Sequence, residues 1–218
     1  LSAHDSVIGG GEMPIISNIV KEKFLENGFI KHNNLIKIIN NTSEKDIISN
    51  QFKIFVDNFN IGKKFIVDKS LLNFFWIGII KILFPNAKII HCIREPKNNC
   101  LSIYKNLFEN SLMFSYDEED LIAFYKMYQD LMKFWQYEKN INLIQVSYES
   151  LISNTEIEIK RILKECELDW DEKCLFYYKS KNPIKTMSTA QARKPIYKTS
   201  INSFDKYKNY LDKINNFL

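Results

Sequence analysis

The sequence predicts an α/β protein in which helices flank a parallel β-sheet. Three short apolar runs have the length and composition of buried strands, at residues 65–67, 88–93 and 143–146. A helical pattern follows each run after a short connection, as is typical of parallel βαβ units. Three strands are few for such a sheet, so we expect at least one more, the usual first strand, upstream of Leu1.

The helices are predicted from their start signals and from the spacing of apolar residues. Pro14 opens the first helix, and Gly28 closes it. Ser43, with Asp46 three residues later as a partial capping box, opens the second, which extends to about residue 58. The acidic run 117–120 favours the start of a long helix through the helix dipole. The predicted helices further along the chain cover residues 73–84, 96–108, 117–137, 155–166 and 172–178 and a segment near the end of the chain.

Length and composition limit the class of protein. The 218 residues suffice for one domain with a real hydrophobic core, and we expect residues 1–218 to form a single domain truncated at its N-terminus. Apolar residues make up 45% and charged residues 26%, the balance of a soluble globular protein. The net charge of +4 is compatible with an anionic ligand but too small to argue for nucleic-acid binding.

The residue pattern argues against a zinc protein, a membrane-spanning protein and a disulfide-rich protein. The four cysteines form no C-x-x-C pair and the three histidines are scattered, which argues against zinc. No apolar run reaches the roughly 18 residues of a membrane span. So few cysteines in a chain of this length favour a reducing compartment, and we expect a cytoplasmic protein.

Candidate binding residues follow the predicted strands. Lys69 ends the first strand, Arg94 ends the second just before the helix start at Pro96, and Tyr148 ends the third. Ser102 lies about 9 Å further along that helix. Ligands of parallel sheets bind at the carboxyl ends of the strands, so a cation, a forked guanidinium and an aromatic ring there suit an anionic nucleotide.

Each of these residues also has a plain structural interpretation. A strand-end Lys69 or Arg94 can be a solvated charge, Tyr148 a half-buried core tyrosine and Ser102 an ordinary helix serine. Glu12, which follows three glycines, can be a carboxylate favoured by the dipole of the next helix. We assign no role to His91, which reads as a satisfied core histidine. The joint placement of the other residues favours a site.

Several segments resemble one known family. Residues 67–73 (VDKSLLN), 84–96 (FPNAKIIHCIREP) and 99–104 (NCLSIY) look like the central signature of PAPS-dependent sulfotransferases. The segment 146–151 (VSYESL) is similar to the tyrosine-acid turn of this family. The segment 188–197 (STAQARKPIY) resembles the C-terminal loop of the tyrosylprotein-sulfotransferase-like branch, which includes bacterial members with tetratricopeptide repeats. The resemblance covers nearly the whole chain and implies a P-loop-NTPase-like sulfotransferase fold.

The resemblance also implies roles for individual residues. Arg94 and Ser102 would hold the 3′-phosphate of PAPS, the co-substrate, and Tyr148 would contact its adenine side. Lys69 and Ser188 would face the sulfuryl group and the phosphate it leaves, with no metal required. Glu12 matches the general base of the tyrosylprotein branch.

The sequence departs from the family pattern in three places. Leu71 stands where the small-molecule branch has a catalytic histidine, which argues for the branch with a glutamate base. The last loop has Ser203 where many relatives have a basic residue, with Lys198 and Lys206 as candidate substitutes. The phosphate loop is expected upstream of Leu1, after which residues 1–4 would end a helix. We therefore expect the 218 residues alone to bind PAPS poorly and to turn over negligibly.

Two other functions are compatible with the pattern. A small-molecule kinase with a P-loop-like fold would need Mg²⁺-binding carboxylates after a strand, where only Asp68 is placed. A nucleotide-binding module without activity would bind adenosine 3′,5′-bisphosphate and modify no acceptor. The acceptor, whether protein tyrosine, saccharide or small molecule, stays open, as does the oligomeric state. An aromatic stretch within residues 124–137 could line an acceptor cleft, although its helical spacing favours core packing.

Overall fold

The computed structural model describes residues 1–58, 62–108, 112–180, 193–197 and 201–217. The chain divides into two compact units, each described by itself. Unit 1 comprises Leu1–Ile89 and Cys166–Pro195, and unit 2 comprises Ile90–Glu165 and Ile196–Leu218. The predicted single domain stays a prediction. Within the described residues, no helix is long and apolar enough to cross a membrane.

Unit 1 contains two small sheets. Strand β1 (Val7–Gly11) pairs in parallel with β4 (Phe65–Asp68), with Val7 opposite Phe65 and a register shift before Gly11, which lies opposite Asp68. Strands β2 (Leu25–Glu26) and β3 (Phe29–Ile30) form an antiparallel hairpin. Strand β4 was predicted, whereas β1 and the hairpin were not.

Close packing explains why glycines occupy β1. A Cβ atom on Gly9 would lie 2.8 Å from Cβ of Ser2, and one on Gly10 would lie 2.6 Å from the sulfur of Met13. Gly11 has a φ of +70°, a conformation that glycine adopts without strain. Glycine disfavours strands in general, so the triplet concealed β1 in the sequence. Residues 1–4, expected to end a helix, form a turn and a bend instead.

The helices of unit 1 pack around one apolar core. That core includes Val20, Phe24 and Ile48, all at most 2% exposed. The first predicted helix ends at Phe24 rather than at Gly28, because the chain turns there into the hairpin. The helical segments are α1 (Ile15–Ile19) with a π-helical continuation (Val20–Phe24), α2 (His32–Asn40), α3 (Thr42–Asp57), a 3₁₀ segment (Leu71–Trp76), α4 (Ile77–Leu83) and two short 3₁₀ turns (Glu172–Cys174, Tyr177–Lys179).

Unit 2 contains two hydrogen-bonded strands and most of the remaining helices. The strands are β5 (Ile89–Ile93), whose first residue belongs to unit 1, and β6 (Leu143–Ser147). The helical segments are α5 (Pro96–Tyr104), a 3₁₀ turn (Met113–Tyr116), α6 (Glu118–Tyr137), α7 (Tyr148–Ser153), α8 (Thr155–Glu165), a second 3₁₀ turn (Ser203–Lys206) and α9 (Asp212–Phe217).

Helix α6 shows how sequence and packing agree in unit 2. The Asp117 carboxylate caps it by accepting hydrogen bonds from the backbone N–H groups of Glu119 (2.8 Å) and Asp120 (3.1 Å). Its apolar face contributes Leu121 and Tyr125 to the core of the unit. The aromatic stretch of this helix is divided, because Tyr125 is buried whereas Phe134 and Tyr137 are exposed.

The strands are less buried than predicted. In β4, Phe65 is exposed and the other residues are half-buried, and in β5 the side chain of Cys92 is exposed. In β6, Ile144 and Val146 are buried and alternate with the exposed Gln145. Each described sheet has only two strands, so every described strand has one edge without a strand partner.

Candidate functional site

Two candidate residues of unit 1, Glu12 and Lys69, form an ion pair. Lys69 Nζ lies 2.6 Å from Oε1 of Glu12, although the two residues are 57 positions apart in the chain. Glu12 follows β1 and Lys69 follows β4, so the parallel pairing of these strands brings both residues to the same end of the sheet. Both side chains are more than half exposed, which leaves them accessible to a ligand.

The backbone beneath this ion pair is fixed by hydrogen bonds. Lys69 donates its backbone N–H to the carbonyl oxygen of Gly11 (2.7 Å). Oδ1 of Asp68 accepts hydrogen bonds from the backbone N–H groups of Met13 (3.2 Å) and Ser70 (2.9 Å). The segments that carry Glu12 and Lys69 are therefore tied together through their main chains.

Two candidate residues of unit 2, Arg94 and Tyr148, are in contact. The guanidinium carbon of Arg94 lies 4.8 Å from the centre of the Tyr148 ring, within the range of a cation–π contact. Arg94 directly follows β5, and Tyr148 is the first residue of α7 after β6. The hydrogen bonding of β5 to β6 thus places a cation and an aromatic ring side by side.

A carboxylate joins these two strand ends. Glu149 Oε1 accepts a hydrogen bond from the backbone N–H of Glu95 (2.9 Å), and its Oε2 accepts one from Ser147 Oγ (3.0 Å). Burial opposes ionisation of Glu149, but these two bonds, a contact with its own backbone N–H and the charge of Arg94 outweigh burial and hold its pKa below the ordinary value. Glu149 is therefore ionised at neutral pH and supports the Arg94 loop.

A pH dependence of stability follows from this lowered pKa. A depressed pKa in the folded state gives a stabilising contribution that is present above the unfolded pKa of about 4.3 and is lost as the pH falls through the folded value. We expect Glu149→Gln to lower the Tm at pH 7 and the difference from the wild type to shrink below about pH 4. Thermal unfolding between pH 7 and pH 3 measures this, with the exposed Glu138→Gln as the control. A difference that stays constant over this range would contradict it.

The start of α5 is organised by two neighbouring polar residues. Glu95 caps the helix, accepting from the backbone N–H groups of Lys97 (3.1 Å) and Asn98 (2.7 Å). The buried Asn98 side chain accepts hydrogen bonds from Ser203 Oγ (3.1 Å) and from the backbone N–H of Phe204 (2.9 Å). Ser203 of the last loop therefore lies at the first turn of α5.

The remaining residues considered in the sequence are not part of either pair. Ser102 lies half-buried on α5, one helical turn after Asn98 and on the same face. Ser188 and Lys198 lie outside the described residues. His91 is half-buried on β5, with Nε2 2.5 Å from the hydroxyl of Tyr128, and burial lowers its pKa. Its Nδ1 is buried without a hydrogen-bond partner among the described residues, so the histidine is only partly satisfied.

Sequence reasoning missed the carboxylates that support the site. Asp68, Glu95 and Glu149 each stand next to a candidate residue, directly before or after it. Asp68 was considered only as a metal ligand. An acidic residue adjacent to a strand-end cation or aromatic residue is a usable signal for such support, because backbone N–H groups concentrate where strands end and helices begin.

The fold and these groups define an α/β protein with charged residues after its strands, two of them paired across β1 and β4. The sequence model of the sulfotransferase family matches residues 1–172, and the chain belongs to this family. The solved structure of a sulfotransferase domain from the curacin biosynthetic pathway is similar, with a TM-score of 0.57 and 14% identity over 99% of this chain and 88% of that one. This likeness supports the α/β fold alone.

A sequence relative comes from Aquifex aeolicus (strain VF5). It is an uncharacterised protein that is 34% identical over 149 residues, which are 67% of this chain. The matched part covers 20% of the relative, so the chain spans about a fifth of that protein's length.

Proposed function

We propose that this protein transfers a sulfuryl group from PAPS to the hydroxyl of an acceptor, in the manner of the tyrosylprotein-like branch. Members of the sulfotransferase family generally use PAPS, and the chain belongs to that family. The observation that supports the proposal best is the 2.6 Å pair of Glu12 and Lys69. The pair is a carboxylate and a cation at the carboxyl ends of two parallel strands, which is where parallel sheets bind ligands.

Arg94, Ser102 and Tyr148 are proposed to hold the nucleotide part of PAPS. A guanidinium offers forked donors to a phosphate, and Arg94 is already oriented by the Tyr148 ring, 4.8 Å away. The Ser102 hydroxyl adds a donor for the 3′-phosphate, and the Tyr148 ring offers a face on the adenine side. The donor chemistry of these residues fits a phosphorylated nucleoside.

Glu12, Lys69 and Ser188 are proposed to act at the reacting atoms. Glu12 takes the proton of the acceptor hydroxyl while that oxygen bonds to sulfur and the bond from sulfur to the 5′-phosphate oxygen breaks. Lys69 Nζ offsets the negative charge that the leaving phosphate gains, and the Ser188 hydroxyl donates a hydrogen bond there. Because Lys69 is paired with Glu12 before the donor binds, it is already close to the base.

The kinase alternative would need Asp68 to bind Mg²⁺, and the contacts of Asp68 do not support this role. Oδ1 of Asp68 accepts from two backbone N–H groups, and Oδ2 accepts from Asn73 Nδ2 (2.8 Å). Both oxygens therefore already take part in hydrogen bonds that fix the loop. The acceptor class and the cytoplasmic location stay predictions.

The test is sulfuryl transfer by the complete gene product that contains these residues. We expect labelled sulfate to move from PAPS to at least one of a tyrosine peptide, a saccharide and a simple phenol, and EDTA to leave the rate unchanged. Phosphate transfer from ATP that requires Mg²⁺ would instead establish the kinase. Binding of adenosine 3′,5′-bisphosphate without transfer to any acceptor would establish the inactive module.

A further inference from the structure

We infer that Asp68 is a positioning residue: its carboxylate fixes the segment that carries Glu12 against the segment that carries Lys69. The inference rests on the proposed function for the roles of those two residues. The contacts of Asp68 itself do not depend on it.

The position of Asp68 makes it the natural connection between the two segments. It is the last residue of β4, lies opposite Gly11 in the parallel register and directly precedes Lys69. The register shift between Gly9 and Gly11 occurs at this same point. An irregular ladder leaves backbone groups without their regular strand partners, and side chains are then needed to bind them.

The Asp68 carboxylate binds such groups on both segments. Oδ1 accepts from the backbone N–H of Met13 (3.2 Å), which follows Glu12, and from that of Ser70 (2.9 Å), which follows Lys69. On the other side of Glu12, the Gly11 carbonyl accepts from the Lys69 N–H (2.7 Å). Both peptide neighbours of Glu12 are therefore bound to the end of β4.

The neighbours of Asp68 complete the connection. Ser70 Oγ lies 2.7 Å from Asp68 Oδ1 and 2.8 Å from the carbonyl oxygen of Met13. Its hydroxyl has a single proton, which it donates to one of these two oxygens at a time. Asn73 Nδ2 donates to Oδ2 (2.8 Å) and restrains the carboxylate plane. Four polar groups thus surround one half-buried carboxylate: two backbone N–H groups, one hydroxyl and one side-chain amide.

The exposed ion pair depends on this framework. Glu12 and Lys69 are long side chains that are more than half exposed, and such a pair does not by itself order two loops. A displacement of about 1 Å in a reacting group can cost about 100-fold in rate. The hydrogen bonds of Asp68 are what keep the base within reach of both Lys69 and the acceptor.

The first test measures kinetics in the complete gene product. We expect Asp68→Ala to lower kcat by about 10- to 100-fold, while the Kd for adenosine 3′,5′-bisphosphate changes less than about threefold. Asp68→Asn keeps an Oδ1 acceptor for both N–H groups and should retain most of the rate. In a Glu12→Gln background, Asp68→Ala should add less than about threefold, because the group it positions is already gone. A full additive loss in that background would overturn the inference.

The second test needs no activity and uses the complete gene product. We expect the backbone N–H groups of Met13 and Ser70 to exchange with deuterium at least about tenfold faster in Asp68→Ala than in the wild type or in Asp68→Asn. The N–H of Glu44, which is capped by Asn41, should exchange equally in all three proteins and serves as the control. Equal exchange of Met13 and Ser70 in all three would overturn the inference. An absence of sulfuryl transfer in the wild type would refute the proposed function and leave this exchange result to decide the role of Asp68.

Discussion

We expect Arg94→Ala to weaken the binding of adenosine 3′,5′-bisphosphate by about 100-fold. A charge-assisted hydrogen bond contributes about 1.5–3 kcal/mol, and a forked guanidinium can make two to one phosphate. Each 1.4 kcal/mol corresponds to about tenfold in Kd. Arg94 is held by the Tyr148 ring at 4.8 Å, and it lies in a loop that the Glu149 carboxylate supports. The substitution therefore removes an ordered guanidinium rather than a mobile surface cation.

Calorimetric titration of the complete gene product measures this change. Arg161→Ala is the matched control, because Arg161 belongs to the same unit and is already bound by Glu158 (2.8 Å) and Glu165 (2.6 Å). Arg94→Lys should bind with intermediate affinity, since an ammonium keeps the charge but loses the forked geometry. Equal affinities for the wild type and Arg94→Ala would remove Arg94 from the nucleotide site.

The elements that could be predicted are those whose local signals agree with their packing. Helix α6 has a capping Asp117, acidic residues in its first turn and an apolar face, and the structure places it where these signals predict. Strand β4 was found from three consecutive apolar residues. In both cases neighbouring residues carry the whole signal, so no knowledge of the tertiary structure is needed.

Strand β1 was missed because it is established by tertiary structure, above all by its parallel pairing with β4. Strand β1 contains three glycines, which disfavour a strand, but Ser2 and Met13 pack so closely that a side chain would not fit at Gly9 or Gly10. Helix α5 ends at Tyr104, shorter than predicted. Local propensity does not describe the packing at β1, because neighbours outside the strand decide it.

The candidate site also combines residues predicted from local sequence with contacts that only the folded chain shows. Strand ends supplied Lys69, Arg94 and Tyr148 as separate candidates. The structure brings Arg94 and Tyr148 together within unit 2, and the grouping of Lys69 with them stays a prediction. The pairing of Lys69 with Glu12 joins residues 57 positions apart and requires β1, which the sequence concealed. Glu95 and Glu149 were missed for a related reason, since their role is to accept hydrogen bonds that only the folded chain brings together.

Glu12→Gln is expected to lower kcat by about 10²–10⁴-fold, the usual contribution of a positioned general base. The substitution keeps the size of the side chain and one oxygen acceptor but removes the group that takes the proton of the acceptor hydroxyl. Lys69 then loses its ion-pair partner at 2.6 Å and keeps its own charge for the leaving phosphate. The Kd for adenosine 3′,5′-bisphosphate should therefore change less than about threefold, which separates loss of the base from loss of the nucleotide site.

Glu156→Gln provides a close control for this experiment. Glu156 pairs with Lys160 at the same 2.6 Å, and the two side chains are 56% and 54% exposed, against 53% for Glu12 and 56% for Lys69. Its pair lies within α8 and includes no candidate site residue, so breaking it tests the effect of losing an exposed ion pair. Exposed pairs of this kind contribute little, and kcat should stay within about twofold of the wild type. If Glu12→Gln behaved like this control in rapid-quench and steady-state assays, the carboxylate at the end of β1 would be a surface partner of Lys69, and the base would have to be sought elsewhere.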